Sequence, residues 1–417
     1  MKPLNTGKMP LDPRAWLAIM SLSLIVNLPG LAVTPMLGTL SKIFPDTTAL
    51  ETQLLTVCPN LLIIPFVLMS GKLSTTTHKK TIICTALLIF AGSTVGYLLS
   101  TSMLALILFS CTLGIGAGLL IPFSTGLLSD TFAGKPLMGQ MGLQSAISNL
   151  TLVVATFAVG WLSMFNWHLP FLVYGVCLIP LALMPFFRLI PYEELNPVVN
   201  EKNQPNATQS SDPQMKCNKS GISVYRLLTL FGLYFLLTWS TISISEYTPF
   251  LVKARHFDTS ITGTLTSIYF LFVFVSGFSL TRIIHFTKAN TIIVAAAIVL
   301  AGMAVFTFIP SVFCMGVGVI LVGLGYGILQ PLFYDKATQT VCLASRSTLA
   351  LSVVLTANYS AIVLEPFITQ GICKISGQAI DGIFPFIIST VLCLLTVVLC
   401  VAYRNKFAFS ISKSYYE

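Results

Sequence analysis

Long apolar segments alternate with short polar ones along nearly the whole chain. A helix that crosses a membrane needs roughly 20 predominantly apolar residues, and the pattern supplies twelve segments of about that length. The ninth and tenth are separated only by the turn at Pro310 and Ser311, where two crossings fit the stretch better than one helix. The pattern therefore predicts an all-α membrane protein with twelve transmembrane helices. The segments cover residues 15–40, 51–73, 80–99, 103–128, 140–164, 169–188, 226–251, 260–282, 289–309, 311–334, 347–372 and 382–403.

One polar stretch, residues 191–222, interrupts the alternation after the sixth segment. It is rich in Pro, Asn and Ser and too hydrophilic to form a core, which is typical of a flexible linker. It predicts an N-terminal six-helix bundle over residues 1–190 and a C-terminal six-helix bundle over residues 223–417.

The distribution of charge predicts how the chain lies in the membrane. The chain carries 23 Lys and Arg residues, 9% charged residues in all and a formal net charge of +9. The basic residues are dispersed between apolar segments, which argues against a nucleic-acid partner. We expect both termini and the linker in the cytoplasm and the chain in the cell membrane, because this orientation keeps most basic residues inside. The basic residues that it leaves outside are Lys42, Lys253, Arg255 and Lys374.

A sequence repeat links the two predicted bundles. The sequence LGIGAGLLIP at 113–122 recurs as VGLGYGILQP at 322–331, 209 residues later, which gives the shared pattern GxGxGxxxP, and Asn149 and Asn358 have the same separation. Small residues at helix–helix contacts would also explain the glycines, and the two interpretations are compatible. Equal spacing in corresponding helices indicates duplication, and many transporters are built from duplicated halves around a central site.

With its six-plus-six layout, central linker and repeated glycine motif, the chain resembles the major facilitator superfamily over essentially its whole length. The loop after the second segment is similar to the family's cytoplasmic motif, although Thr75, Thr76 and His78 depart from it. We expect Asp130 to pair with Lys135, and Asp335 with Arg346, either as a latch between conformations or as solvated helix caps. The candidate residues of a cytoplasmic gate are Gly71, Lys79, Lys80, Asp130, Asp335 and Arg346.

Two acidic side chains, Glu246 and Glu365, lie well inside predicted spans. A charged carboxylate in hydrocarbon costs several kcal/mol, so each needs a partner, a wet cavity or a proton. Each shares one helix face with polar side chains. We expect at least one of them to bind a proton or a cation during transport. The alternative is that both are structural anchors at the outer interface, near Lys253 and Lys374.

The resemblance also implies that the first, fourth, seventh and tenth helices line a central cavity. Hydrogen bonding between helices would explain the polar residues there equally well. No Lys or Arg lies deep in these spans, which favours a neutral, cationic or amphiphilic solute over an anionic one. The cavity candidates are Asn27, Trp239, Tyr326 and Gln330, with Asn149 and Asn358 on neighbouring helices.

These features predict a secondary active transporter that works by alternating access, with proton-coupled efflux as the leading hypothesis. The alternatives are a proton-coupled uptake symporter for a small nutrient and a membrane sensor without transport. The family's drug–proton antiporters tend to carry an Arg in helix four where this chain has Ser110, and a GPxxGG signature that is absent here.

The sequence lacks the common nucleophile, metal and nucleotide-binding motifs, so we expect no enzyme activity, no cofactor and no metal. A small solute, a proton or another coupling ion and the lipid bilayer are the expected partners of a monomer.

Overall fold

In the residues that it describes, the computed structural model of the chain is helical almost throughout. An isolated antiparallel bridge joins Ile222 to Val341. The structure describes residues 11–32, 36, 40, 43–45, 49–74, 78–163, 165–186, 222–257, 260–342, 346–378, 382–404 and 406–409. Most of the predicted linker, with Thr75 and Thr76 of the cytoplasmic motif, lies outside these residues.

The α-helices are numbered here in chain order. Short 3₁₀ helices at Leu22–Leu24, Leu169–Cys177, Met184–Phe186 and Lys288–Asn290 lie between or next to them. The α-helices are α1 (Pro13–Ser21), α2 (Leu28–Leu31), α3 (Ala49–Leu73), α4 (Lys79–Leu99), α5 (Met103–Thr131), α6 (Gly134–Leu162), α7 (Leu178–Ala182), α8 (Val224–Ala254), α9 (Ser260–Phe278), α10 (Leu280–Thr287), α11 (Thr291–Phe308), α12 (Val312–Thr338), α13 (Ser347–Ser376) and α14 (Phe384–Ala402).

Among the described residues, eleven helical stretches are long and apolar enough to cross a membrane. The predicted division between the ninth and tenth segments is confirmed, because α11 ends at Phe308 and α12 begins at Val312. The predicted all-α membrane fold is likewise confirmed. The eleven stretches are Leu54–Leu73, Lys79–Leu99, Met103–Thr131, Gly134–Leu162, Leu169–Phe186, Val224–Val252, Ile261–Phe278, Leu280–Phe308, Val312–Thr338, Ser347–Ser376 and Phe384–Ala402.

The first predicted segment, residues 15–40, departs from one continuous helix. In its described part, α1 ends at Ser21, a 3₁₀ turn follows, and α2 begins at Leu28. Pro29 lies in the first turn of α2. Proline has no backbone N–H and fits the first turn of a helix, where no intrahelical bond is lost. The first predicted segment is therefore divided between Ser21 and Leu28 in its described part.

The glycines of the first motif allow α5 to approach two neighbouring helices closely. A Cβ atom at Gly118 would lie 2.7 Å from Phe66 Cβ in α3, and Gly114 meets the same helix. Gly116, on the other side of α5, would place a Cβ atom 3.1 Å from the carbonyl oxygen of Ala86 in α4. The motif thus alternates its contacts between α3 and α4.

The second motif has the same arrangement in α12. A Cβ atom at Gly327 would lie 2.5 Å from the carbonyl oxygen of Val273 in α9, and Gly323 meets the same helix. Gly325 faces α11, where a Cβ atom would lie 2.7 Å from the carbonyl oxygen of Ala295. The repeated glycines therefore have the same packing role in both occurrences of the motif.

The chain forms two compact units, each with segments from both halves of the sequence. The first comprises Met1–Leu137, Val154–Leu228 and Tyr334–Thr356, and the second comprises Met138–Val153, Thr229–Phe333 and Ala357–Glu417. The bundle boundaries at residues 190 and 223 stay a prediction.

Candidate functional site

The second unit contains both predicted carboxylates, Glu246 on α8 and Glu365 on α13. Glu365 is 0% exposed. Thr369, one helical turn later, donates a hydrogen bond to its Oε1 atom at 3.0 Å, whereas its Oε2 atom has no hydrogen-bond partner among the described residues. Glu246 is half-buried and close enough to Glu365 for the two to interact electrostatically. The sequence-predicted acids are thus brought together in one site.

Further buried polar groups without partners lie on α8, the helix that carries Glu246. The Tyr247 hydroxyl, the Trp239 indole N–H and the Ser245 hydroxyl are buried and have no hydrogen-bond partner within the described chain. Tyr247 lies beside Glu365, and its ring packs edge-on against Phe386 with the centroids 6.5 Å apart. Nearly all buried polar groups in proteins are hydrogen-bonded, so a cluster of unsatisfied ones marks a place where another polar group can bind.

A hydrogen-bonded network joins α8 and α13, the helices that carry the two acids, to α12. Thr238 on α8 donates to Oδ1 of Asn358 on α13 at 2.9 Å, and the Tyr326 hydroxyl on α12 lies 3.4 Å from the same oxygen. The Tyr326 ring is 6.4 Å from that of Tyr269, measured between centroids. Two predicted cavity residues, Tyr326 and Asn358, are therefore in direct contact, and Thr238, which the sequence analysis did not select, bonds to the same Asn358 oxygen.

Gln330 and Asn149 are joined through a residue that the sequence analysis also missed. Ser145 on α6 donates a side-chain hydrogen bond to Oε1 of Gln330 on α12 at 2.8 Å, and Asn149 donates to the Ser145 carbonyl oxygen at 2.7 Å. These contacts connect two helices, which is the alternative role considered for polar residues here. Asn27 lies elsewhere: it is half-buried in the turn before α2, in the first unit.

The predicted gate residues lie in the first unit. Lys79 at the start of α4 forms an ion pair with Asp130 near the end of α5, with 2.8 Å between Nζ and Oδ2. Their side chains are only 6% and 5% exposed. The predicted partner of Asp130, Lys135, is exposed and the prediction was wrong, because the chain breaks its helix after Thr131 and starts a new one before Lys135.

The other gate candidates have separate environments. Asp335 accepts a hydrogen bond from the Gln339 side chain at 2.6 Å. Arg346 is half-buried and Lys80 is exposed.

Gly71 packs against the start of α13, and so does Gly126. A Cβ atom at Gly71 would overlap the Ser352 side chain, and one at Gly126 would overlap Thr348. These contacts tie the ends of α3 and α5 to α13 within the first unit. A side chain at either position would push α13 away from α3 or α5. The two glycines therefore set the distance between these helix ends.

Arg255 illustrates a basic residue with a structural role. It follows the end of α8, and its Nη2 atom donates to the carbonyl oxygen of Thr307 in the last turn of α11 at 2.8 Å. Partial burial lowers the pKa of its guanidinium from the usual value. Carbonyls at a helix C-terminus carry partial negative charge, so Arg255 caps α11.

The eleven apolar helical stretches found among the described residues define a polytopic membrane protein. A sequence model described as Major Facilitator Superfamily matches residues 15–366. The chain belongs to the Major Facilitator Superfamily and is one of its transporters, as the resemblance in the sequence predicted.

Curated relatives and solved structures add detail to this assignment. The chain is 26% identical over 250 residues to the "Quinolone resistance protein NorA" of Staphylococcus aureus (strain MRSA252), a match that covers 58% of this chain and 61% of that protein. The human organic anion transporter MFSD10 (TETRAN) has a TM-score of 0.71 at 14% identity, covering 93% of this chain and 99% of that chain. The proton:xylose symporter XylE bound to 6-bromo-6-deoxy-D-glucose has a TM-score of 0.71 at 12% identity, covering 94% and 95%. At these identities the solved structures establish the fold.

Proposed function

We propose that this transporter couples proton movement to the export of a small cationic or amphiphilic solute by alternating access, in the cell membrane with both termini in the cytoplasm. The observation that carries the proposal is the fully buried Glu365, with one carboxylate oxygen unsatisfied and a second acid, Glu246, beside it. Neither acid forms an ion pair with any described residue. A fully buried carboxylate beside a half-buried one, with no cation paired to either, is costly, so the pair must take up a proton or a cationic group at some stage of the cycle.

The surroundings of the two acids favour an amphiphilic, aromatic solute. The Tyr247 side chain beside Glu365 supplies an aromatic face. The buried Trp239 indole lies on the same helix as Glu246, seven residues earlier and roughly 10 Å away along the helix axis. Aromatic faces and carboxylates together suit a cation. The similarity to a protein named for quinolone resistance supports the same class of solute.

Ser110 departs from the pattern of drug–proton antiporters. Its side chain is buried and donates a hydrogen bond to the carbonyl oxygen of Leu55 at 2.8 Å, so in this chain the position has a packing role.

A proton-coupled uptake symporter is the second candidate. The hydrogen-bonded side chains of Asn358, Tyr326 and Gln330 could exchange their partners for solute hydroxyls. The fold similarity to a proton:xylose symporter is consistent with this alternative. The two candidates differ in the direction of coupling.

Transport into proteoliposomes under an imposed pH gradient tests the proposal. An antiporter accumulates solute when the lumen is acidic, and a symporter accumulates it when the outside is acidic. A fluorescent quinolone and radiolabelled xylose are the two probes. We expect quinolone accumulation with an acidic lumen, and its loss to the level of empty liposomes in Glu365→Gln, because the amide cannot exchange a proton. Glu246→Gln is expected to weaken it in the same way.

Asp12→Asn is the matched control, since it makes the same chemical change at an exposed helix cap outside the spans. It should transport like the unmodified chain. Unchanged gradient-driven accumulation in both glutamate variants would refute the proton-coupling role, and accumulation of xylose with an acidic exterior would favour the symporter.

A further inference from the structure

The short helix α10 is amphipathic and lies between two membrane-spanning helices. Leu280 and Ile284, one turn apart, are each 1% exposed and face the protein. On the other side of the helix Arg282 and His285 are exposed, and Phe286 is 79% exposed. A helix with one apolar face against the protein and an outer face of cations and an aromatic ring has the pattern of helices that lie in a membrane interface.

The stretch Leu280–Phe308 has 29 residues, more than the roughly 20 that a crossing needs, so its first part, α10, extends to the membrane surface. Helix α9 has 19 residues and α11 has 18. At about 1.5 Å per residue each is about 27–29 Å long, close to the roughly 30 Å of the hydrocarbon core. The residues between them, 279–290, therefore lie at the boundary between hydrocarbon and water. Phe278, the last residue of α9, is 67% exposed and borders the same region.

The cations of this region are available for a ligand. The side chains of Arg282, His285 and Lys288 form no ion pair or hydrogen bond with the described part of the chain. The segment 278–291 contains no acidic residue. Elsewhere at the helix ends a basic residue can be neutralised within the protein, as Lys79 is by Asp130. Here the positive charge faces outward beside exposed phenylalanines.

We propose that α10 binds the phosphate head group of an anionic phospholipid. Arg282 and Lys288 contact the phosphate oxygens, because Arg presents paired donors that match phosphate and Lys adds a mobile point charge. Phe286 and Phe278 contact the upper part of the acyl chains, where aromatic rings are favoured. In the predicted orientation this is the cytoplasmic leaflet, whose anionic lipids attract basic segments next to the membrane. The lipid would hold the α9–α11 connection at a fixed depth.

Native mass spectrometry of the full chain in a neutral detergent tests the proposal by counting bound lipids. Phosphatidylglycerol is titrated in parallel with phosphatidylcholine, which has no net charge. We expect tighter retention of phosphatidylglycerol, and an affinity loss of about 30-fold in Arg282→Gln/Lys288→Gln from the usual contribution of two interfacial cations. Phe286→Ser should weaken the binding of both lipids.

The matched control is Lys135→Gln/Arg404→Gln, which removes one Lys and one Arg that are also exposed and lie outside α10. It should keep the preference for phosphatidylglycerol. All substituted side chains are exposed, so the thermal midpoints should agree within error, which verifies that each variant is folded. An equal loss in control and test variants would mean that net charge alone attracts the lipid, and equal retention of both lipids by the unmodified chain would mean apolar contact only. Either result overturns the site.

Discussion

Gly327 in α12 provides a quantitative test of the repeated glycine packing. In Gly327→Ala the new Cβ atom would lie 2.5 Å from the carbonyl oxygen and 2.9 Å from the Cα atom of Val273, and it would overlap the Ser276 hydroxyl. Two of these atoms belong to the backbone of α9, so the clash cannot be relieved by a side-chain rotation. Overpacking of this kind costs about 1–3 kcal/mol, whereas alanine in a helix gains about 1 kcal/mol over glycine.

Gly316 is the control because it lies in the same helix and has nothing within 4 Å of a Cβ atom. Gly316→Ala should therefore be neutral or more stable. The difference in free energy of unfolding between the two variants then isolates the packing cost, about 1–3 kcal/mol. Reversible unfolding in mixed detergent micelles measures it, with the thermal midpoint as a second readout.

The first motif gives the same test a second position. Gly118→Ala should destabilise like Gly327→Ala, because its Cβ atom would approach the backbone of α3, 3.0 Å from the Ile63 carbonyl oxygen. If Gly327→Ala unfolds with the same free energy as Gly316→Ala, the close approach of α12 to α9 is refuted, and with it the shared role of the two motifs.

Two further predictions concern polar contacts. Lys79→Met leaves the buried carboxylate of Asp130 without its ammonium partner and should lower the free energy of unfolding by about 3–5 kcal/mol. The control is Lys80→Met at the exposed neighbouring position, which should change the free energy of unfolding by less than about 0.5 kcal/mol. Equal effects of the two variants in a denaturant titration would contradict the buried ion pair. Asn358→Leu removes the acceptor of the Thr238 hydroxyl and should cost about 1–3 kcal/mol. In a double-mutant cycle with Thr238→Val the two losses should not add, and full additivity would show that the hydrogen bond contributes nothing.

Different physical signals account for what sequence reasoning found in the site and what it missed. Glu246 and Glu365 were selected because a carboxylate in an apolar segment is conspicuous at any position. Tyr247 was missed because it follows Glu246 directly and therefore lies about 100° around the helix from it. Its position beside Glu365 depends on how α8 and α13 pack. The Lys79–Asp130 pair was missed because its members are 51 residues apart, and a nearer lysine was the simpler choice.

The sequence alone determined the class of the protein. Lipid cannot hydrogen-bond the backbone, so long apolar segments must become helices, and a motif repeated after 209 residues must serve the same packing in both copies. Tertiary structure alone decided which polar groups meet: the partner of Asp130, the link from Ser145 to Gln330, and the placement of Tyr247 beside Glu365. Helix formation depends on neighbours along the chain, whereas these contacts depend on the relative rotation and register of helices, which local pattern does not encode.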